Sequence, residues 1–215
     1  MARQAKRSYD PAAMRGRVLD VASAAFQARG YHATSTHDIM RDAGVTGGAL
    51  HHHFPTKKSL ALAVIRERVA PAVEETWIAP VREGRAAIDG ILAALDQITS
   101  SLDARGKVLG CPLNNLAIEL SLADPDFQTA VAEVFASWQK VIADKARADR
   151  PSAGTAMTPD ELGTFVVASY SGAMAMAKAE QTSRPLRICA QQLAALLDAR
   201  RRTRMRSRSN DGTGS

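Results

Sequence analysis

Ser35-Thr36-His37-Asp38-Ile39-Met40-Arg41-Asp42-Ala43-Gly44-Val45-Thr46-Gly47-Gly48-Ala49-Leu50-His51-His52-His53-Phe54-Pro55-Thr56-Lys57-Lys58 carries, within 24 residues, the start and stop signals of two short helices and the start of a third. Ser35 and Asp38 stand at capping-box spacing, which starts a helix. Ile39 and Ala43, four residues apart, share one face of it. Gly44 permits the left-handed turn that ends it, and Val45 plugs the small core beyond. Thr46 caps a second short helix holding Ala49, Leu50 and His53. Phe54-Pro55 closes that helix, and Thr56 caps a third beginning at Lys57. Two short helices around a glycine turn form a helix-turn-helix. In such a unit the second helix enters the DNA major groove, its N-terminal residues nearest the base edges.

Upstream, residues 1–10 are polar and basic and are expected to be a disordered arm. Val18, Ala22, Ala25 and Phe26, broadened by Leu19, fall on one face of a helix from Pro11 to Arg29, with Gly30 as its terminator. Downstream, Leu60, Val64 and Arg68 mark the helix that begins at Lys57, and Pro71 is expected to bend or stop it. After Pro80, Ile88, Ile91, Leu92 and Leu95 stripe a helix from about Arg85 to Ser101. A shorter helical segment spans Cys111 to Leu122. Asp124-Pro125 opens a long helix to about Arg150, with Phe127, Val131, Val134, Phe135, Trp138 and Ile142 as its apolar groups. Residues 151–157 read as a loop. Thr158-Pro159-Asp160-Glu161 starts another helix, and a last one covers Arg184 to Arg200. Residues 201–215 are basic, then Gly/Ser-rich, and are expected to be disordered. The pattern contains no strand and no repeat.

Composition fits this all-helical reading. Of the 215 residues 46% are hydrophobic and only 5% aromatic, with alanine dominating the apolar set, a mix that suits helices more than sheets. No apolar run approaches the roughly eighteen residues of a membrane span, and the basic start lacks the apolar core of a secretory signal. The two cysteines, Cys111 and Cys189, make neither a disulfide framework nor a zinc pattern. A cytoplasmic protein without cofactor or metal is expected. The net charge of +6 is unevenly placed. Residues 1–80 carry 11 Lys/Arg against 7 Asp/Glu, residues 81–199 carry 11 against 14, and residues 200–215 carry 6 against 1. A basic N-terminal unit is suited to phosphates, and the acidic middle to another task.

The second helix of the motif starts with Thr46, Gly47 and Gly48, without the long side chains that make bidentate base contacts. One reading has the glycines letting the backbone approach a phosphate. The other places specificity on Thr46, His51, His52 and Arg41, helped by groove shape; a mixture of the two is expected. Lys57 and Lys58, at the start of the next helix, are natural phosphate clamps. The three consecutive histidines invite a metal reading, but adjacent helical positions turn about 100° apart and cannot converge on one ion. His51 and His52 are expected to face DNA or solvent, and His53 to pack with Phe54.

Residues 15–65 resemble the TetR family of transcriptional regulators. The resemblance is carried by Arg29-Gly30-Tyr31-His32-Ala33-Thr34-Ser35, by Asp42-Ala43-Gly44-Val45-Thr46-Gly47-Gly48-Ala49-Leu50, and by His51 through Leu60. It implies about nine helices: an N-terminal three-helix helix-turn-helix domain joined to a larger helical domain for ligand binding and dimerisation. It further implies a homodimer on a palindromic double-stranded DNA operator, released by a small-molecule effector whose class the sequence leaves open. Positions matching the family's DNA contacts are Thr36, Thr46, Gly47, His51, His52 and Lys57. The His51 position is commonly tyrosine in the family and the Gly47 position often lysine, so both contacts differ here.

Residues 81–200 resemble the family's sensor domain more thinly, through Gly110-Cys111-Pro112-Leu113-Asn114-Asn115-Leu116-Ala117-Ile118-Glu119-Leu120-Ser121. Apolar walls with a few orienting polar groups make a ligand site. The candidates are Leu92, Leu95, Cys111, Leu113, Asn114, Trp138, Phe165, Ser169 and Tyr170; core packing or an exposed helix face is the alternative for each. Cys111, four residues after Lys107, is also a candidate thiol for sensing electrophiles or oxidants; burial would leave it inert. The last two helices are expected to pair with a second copy as a four-helix bundle, through Ala168, Gly172, Ala175 and Ala179 with Leu193, Leu196 and Leu197.

The expected organisation is therefore a DNA-binding domain with its basic arm at 1–56, a connecting helix region at 57–80, a sensor and dimerisation domain at 81–200 and a basic tail at 201–215. The arginines of that tail either add non-specific attraction for DNA or serve solubility. An activator or dual regulator of the same fold would carry the same sequence. An enzyme is disfavoured, because no phosphate-binding loop, H-E-x-x-H or G-x-S-x-G motif occurs and no catalytic residue is assigned.

Overall fold

The computed structural model describes the backbone of residues 10–149 and 157–210, and side chains within 10–149 and 157–197. The basic arm, most of the 151–157 loop and the last five residues expected of the tail lie outside the described residues. Within them the chain forms nine helices and no strand. Helix α1 (Pro11–Arg29) is followed by two short ones, α2 (Thr36–Ala43) and α3 (Gly47–His53). Helix α4 starts at Lys57–Val64 and continues unbroken through Ile65–Val69, Ala70–Val73, Glu74–Ile78 and Ala79–Glu83. Then follow α5 (Ala87–Arg105), α6 (Pro112–Leu120), α7 (Pro125–Ala148), α8 (Pro159–Glu180) and α9 (Arg184–Asn210).

The starts follow local side-chain chemistry. The Ser35, Thr46, Thr56 and Thr158 hydroxyls accept from the amides of Asp38, Ala49, Ser59 and Glu161, each satisfying one orphan donor of a helix N-terminus. At Ser35 the expected reciprocal box is altered: the Asp38 carboxylate accepts the Ser35 hydroxyl at 2.6 Å rather than the backbone amide.

Two expectations are corrected. Pro71 does not stop α4. A π-helical turn at Ile65–Val69 precedes it, with Ala70 N–H donating to Ile65 O, and a second at Glu74–Ile78 precedes Pro80. The wider i→i+5 turn removes the carbonyl clash and the lost i→i+4 bond that make proline a helix breaker. The helix therefore carries the chain from the N-terminal unit into the larger half as one rod. The last helix also runs past its expected end at Arg200 to Asn210, through a run of arginines, which are good helix formers.

One apolar core threads the molecule. It runs from Val18, Leu19 and Phe26 on α1 through Ile39, Leu50 and Leu60, along α4 to Trp77, and on to Trp138, Val166 and Leu193. Helix α3 has only seven residues and would be marginal alone. Leu50, 2% exposed, pins it to this core; truncating such a side chain costs about 2–5 kcal/mol. In the larger half α7 packs along α8, and α9 lies across α5 and α8. The junction of α9 with α5 is closed by Asp103, which accepts from Ser183 Oγ at 2.7 Å and pairs with Arg187.

Candidate nucleic-acid interface and sensor cavity

The N-terminus of α3 is open. Thr46 and Gly48 are exposed and Gly47 half-buried. A Cβ at Gly48 would meet nothing within 4 Å, and one at Gly47 only Met40 Sδ at 3.7 Å. Packing demands glycine at neither position. His51 and His52 are exposed, as expected, and His51 Nδ1 lies 3.3 Å from Pro55 O. His53 turns inward, its ring tilted at 6.3 Å from that of Phe54. Thr36 sits half-buried at the first position of α2. Arg41 is exposed, but its guanidinium is held along α2 by Asp38 at 3.0 Å and Asp42 at 2.9 Å.

The two lysines expected to clamp phosphate part company. Lys57 Nζ stands 4.2 Å over the ring of Tyr31 and within 3.5 Å of His32 O; burial lowers its pKa. No carboxylate holds it among the described residues. Lys58 is bound instead by Asp124 at 2.6 Å and Asp126 at 2.7 Å, at the start of α7. The hydrogen bonds that the Lys58 ammonium donates to both carboxylates raise its pKa, and the Lys58 bond holds Asp124 below the usual carboxylate range. Lys58 is thus a tie to the larger half rather than a free cation. Its partner lies 66 residues away in sequence, which no local pattern could reveal.

A second tie comes from Glu119, near the end of α6. Its carboxylate accepts the Tyr31 amide at 2.7 Å and the His32 amide at 2.6 Å. Gly30 makes room: its φ is +88°, and a Cβ there would fall 2.9 Å from Glu119 Oε2. Gln27 Nε2 adds a bond to Gly110 O at 3.0 Å. Within the N-terminal unit, Arg15 grips Glu67 of α4 through two hydrogen bonds of 2.5 and 2.6 Å. Helix α3 packs against α1 and α2; the end of α1 is fastened to α6 and the start of α4 to α7. Sequence reasoning missed Glu119, Asp124 and Asp126, because each acts across the fold.

The sensor candidates do not share one pocket. Cys111 and Asn114 line a cavity of about 480 Å³ between α6, α7 and α8, together with Ile118, Phe135, Ser171 and Lys178. Leu113 and Trp138 are fully buried core. Tyr170 is buried in a cluster with Trp77 and Trp138, ring centroids 4.8 and 5.4 Å away, beside Cys111. Leu92 and Leu95 border a separate depression against α9. Phe165 and Ser169 line an outer groove with Cys189, Leu193 and Leu196. The helical phase separates them: Phe165 and Ser169 project from the outer side of α8, Tyr170 from its inner side.

Burial pushes the Cys111 thiol up, the opposite of what thiolate chemistry requires; Cys111 is a wall group here. Burial does the same to half-buried Cys189. On the outer face, Ala168, Gly172, Ala175 and Ala179 are exposed beside Phe165, Met176, Ile188 and Leu196, and Leu197 is half-buried; Gly172 and Ala175 stand at the edge of that face and also border the cavity. Leu193, expected on the same face, is 2% exposed and belongs to the protomer's own core.

Comparison with known proteins adds a lineage to this geometry. Residues 18–64 match the family described as bacterial regulatory proteins, tetR family. Residues 87–192 match the C-terminal domain of LmrA/YxaF-like transcriptional regulators. The chain is 28% identical over 184 residues to the HTH-type transcriptional regulator YxaF of Bacillus subtilis, covering 85% of this chain and 94% of that one. It is 28% identical over 180 residues to LmrA of the same organism, covering 80% and 90%. A TetR transcriptional regulator of Chloroflexus aurantiacus superposes with a TM-score of 0.77 at 29% identity, covering 87% of this chain and 96% of that one.

Proposed function

The chain belongs to the TetR family of bacterial transcriptional regulators, and from that premise we propose that it is a repressor that occupies a palindromic operator as a homodimer and leaves it when a small-molecule effector enters the sensor half. The observation that carries this reading is the double fastening of the helix-turn-helix to the cavity-bearing half. Glu119 on α6 holds the Tyr31 and His32 amides, and Asp124 and Asp126 at the start of α7 hold Lys58. Helices α6 and α7 also wall the cavity. A molecule that prefers one arrangement of those two helices shifts the placement of α3 by its difference in affinity for the two arrangements.

On the DNA, Thr46, His51 and His52 face the bases, and the bare amides at Gly47 and Gly48 together with Lys57 meet phosphate. Thr36 supports the same contact surface. Arg41 reaches DNA only by leaving Asp38 and Asp42. The pairing surface is the outer face of α8 and α9, where small residues lie beside Phe165, Met176, Ile188 and Leu196, large apolar side chains between 38% and 56% exposed. Pairing sets two α3 helices to meet successive major grooves, about 34 Å apart or a multiple of that. The protein acts in the cytoplasm, with the operator.

A reporter driven by each bound promoter, in cells with and without the gene, tests the sign of regulation. Expression rises on deletion if the protein represses; a fall makes it an activator, and no change at any bound promoter removes the regulatory role.

A further inference from the structure

The cavity between α6, α7 and α8 has a chemical character of its own. One side is apolar: Ile118, Phe135, Met174 and Ala175. The other carries Asn114, Ser171 and Lys178. Asn114 Oδ1 accepts from Ser171 Oγ at 3.2 Å, while Asn114 Nδ2 is buried without a hydrogen-bond partner. A buried donor left unpaired costs about 1–3 kcal/mol, which an acceptor bound beside it would recover. The Lys178 ammonium makes one hydrogen bond among the described residues, to Asn115 Oδ1 at 3.2 Å. Its stem lies over Gly110, where a Cβ would come within 3.0 Å of Lys178 Cδ. Among the described residues no carboxylate lines the cavity itself; Glu119, the acid of α6, borders the adjoining depression beside Lys178, with its oxygens committed to the Tyr31 and His32 amides. The polar part of the site offers donors and a cation to a ligand that brings acceptors.

We propose that this cavity binds a small organic carboxylate. Its head group takes the Asn114 amide and the Lys178 ammonium, and its hydrocarbon or aryl body lies along Ile118, Phe135 and Met174. The size suits such a molecule, since ligand cavities run from about 300 to 1,000 Å³. The binding claim stands without the operator-release reading; only its regulatory consequence rests on that reading.

Matched probes test it on the full-length protein. 3-Phenylpropanoate and decanoate are titrated beside 3-phenylpropanol and decanol, with calorimetry and the fluorescence of Trp77 and Trp138 as readouts. Each acid is expected to bind about tenfold tighter than its alcohol, the lower end for a charged hydrogen bond at a partly open site. Lys178→Met should abolish that preference while leaving the thermal melt and sequence-specific DNA binding unchanged. Asn114→Leu should weaken the acids more than the alcohols. Equal affinity for acid and alcohol, a preference that survives Lys178→Met, or no saturable binding of either acid overturns the proposal. Saturable acid binding that leaves DNA binding untouched would sustain the carboxylate site and count against release by this ligand. Release of DNA by a neutral compound alone, with no acid bound, would overturn the carboxylate site and leave the repressor reading intact.

Discussion

Replacing Glu119 by alanine removes the side chain that fastens α6 to the start of the helix-turn-helix. The carboxylate accepts two backbone amides, Tyr31 at 2.7 Å and His32 at 2.6 Å, in the bend that leads from α1 to α2. A hydrogen bond to a charged group contributes about 1.5–3 kcal/mol when shielded from water. Here Tyr31 is half-buried and His32 exposed, so water replaces part of what is lost. The expected cost of Glu119→Ala is therefore about 2 kcal/mol rather than the full sum of two such bonds. Glu119→Gln keeps an uncharged acceptor and should lose about half as much. Urea denaturation gives the global value. Amide hydrogen exchange gives the local one: if about 2 kcal/mol of protection is removed, the Tyr31 and His32 amides exchange about thirtyfold faster. Other amides of α1, such as those near Ala22, should change only by the global loss. A loss below about 0.5 kcal/mol, the range of an ordinary surface substitution, or unchanged exchange at Tyr31 and His32, would refute the claim that Glu119 joins the two halves.

Three further outcomes follow from the same geometry. Lys57→Ala should lower DNA affinity and reduce the slope of log K against log salt by about one per protomer, whereas Lys58→Ala should leave the slope nearly unchanged because its ammonium already serves Asp124 and Asp126; equal slopes for the two variants would contradict the division. Because the Lys58 bond holds the Asp124 carboxyl below its ordinary range, the stability it contributes is present above that range and is lost as pH falls through the depressed value. The gap between wild type and Lys58→Met in urea midpoint should therefore shrink on acidification, and a gap independent of pH would be the contrary result. Gly90→Ala would place a Cβ 2.4 Å from Pro80 O and Val81 Cα, backbone atoms that cannot swing aside, so a loss of at least about 1–3 kcal/mol is expected in thermal or urea unfolding.

The helix-turn-helix was legible because its instructions are local. Ser35, Thr46 and Thr56 cap the helices that follow them, Gly44 takes the left-handed turn at φ +64°, and Val18, Phe26, Ile39 and Leu50 reach the core that their spacing announces. Pro71 misled for a specific reason: proline ends an α-helical ladder, but a wider turn placed one residue before the Ala70-Pro71 segment accommodates it, and nothing in the residue pattern marks that turn. The site was harder to read. Whether Lys58 meets phosphate or carboxylate depends on where α7 starts in space, and the use of Glu119 depends on a contact spanning 87 and 88 residues of chain. The apolar candidates of the sensor half were chosen by composition, yet a turn of about 100° per residue decides whether an α8 side chain faces the core, the cavity or the outer groove. Tyr170, Ser171 and Phe165 went three different ways for that reason.

Selection of genomic fragments by the purified full-length protein, with a Thr46→Ala, His51→Ala variant run in parallel, tests whether α3 reads a palindromic operator. Wild type is expected to enrich an inverted repeat whose half-sites are centred about one helical turn, or a whole number of turns, apart, and the variant to lose the enrichment while remaining folded. Enrichment of no sequence, or of a lone half-site equally well retained by the variant, would contradict that reading.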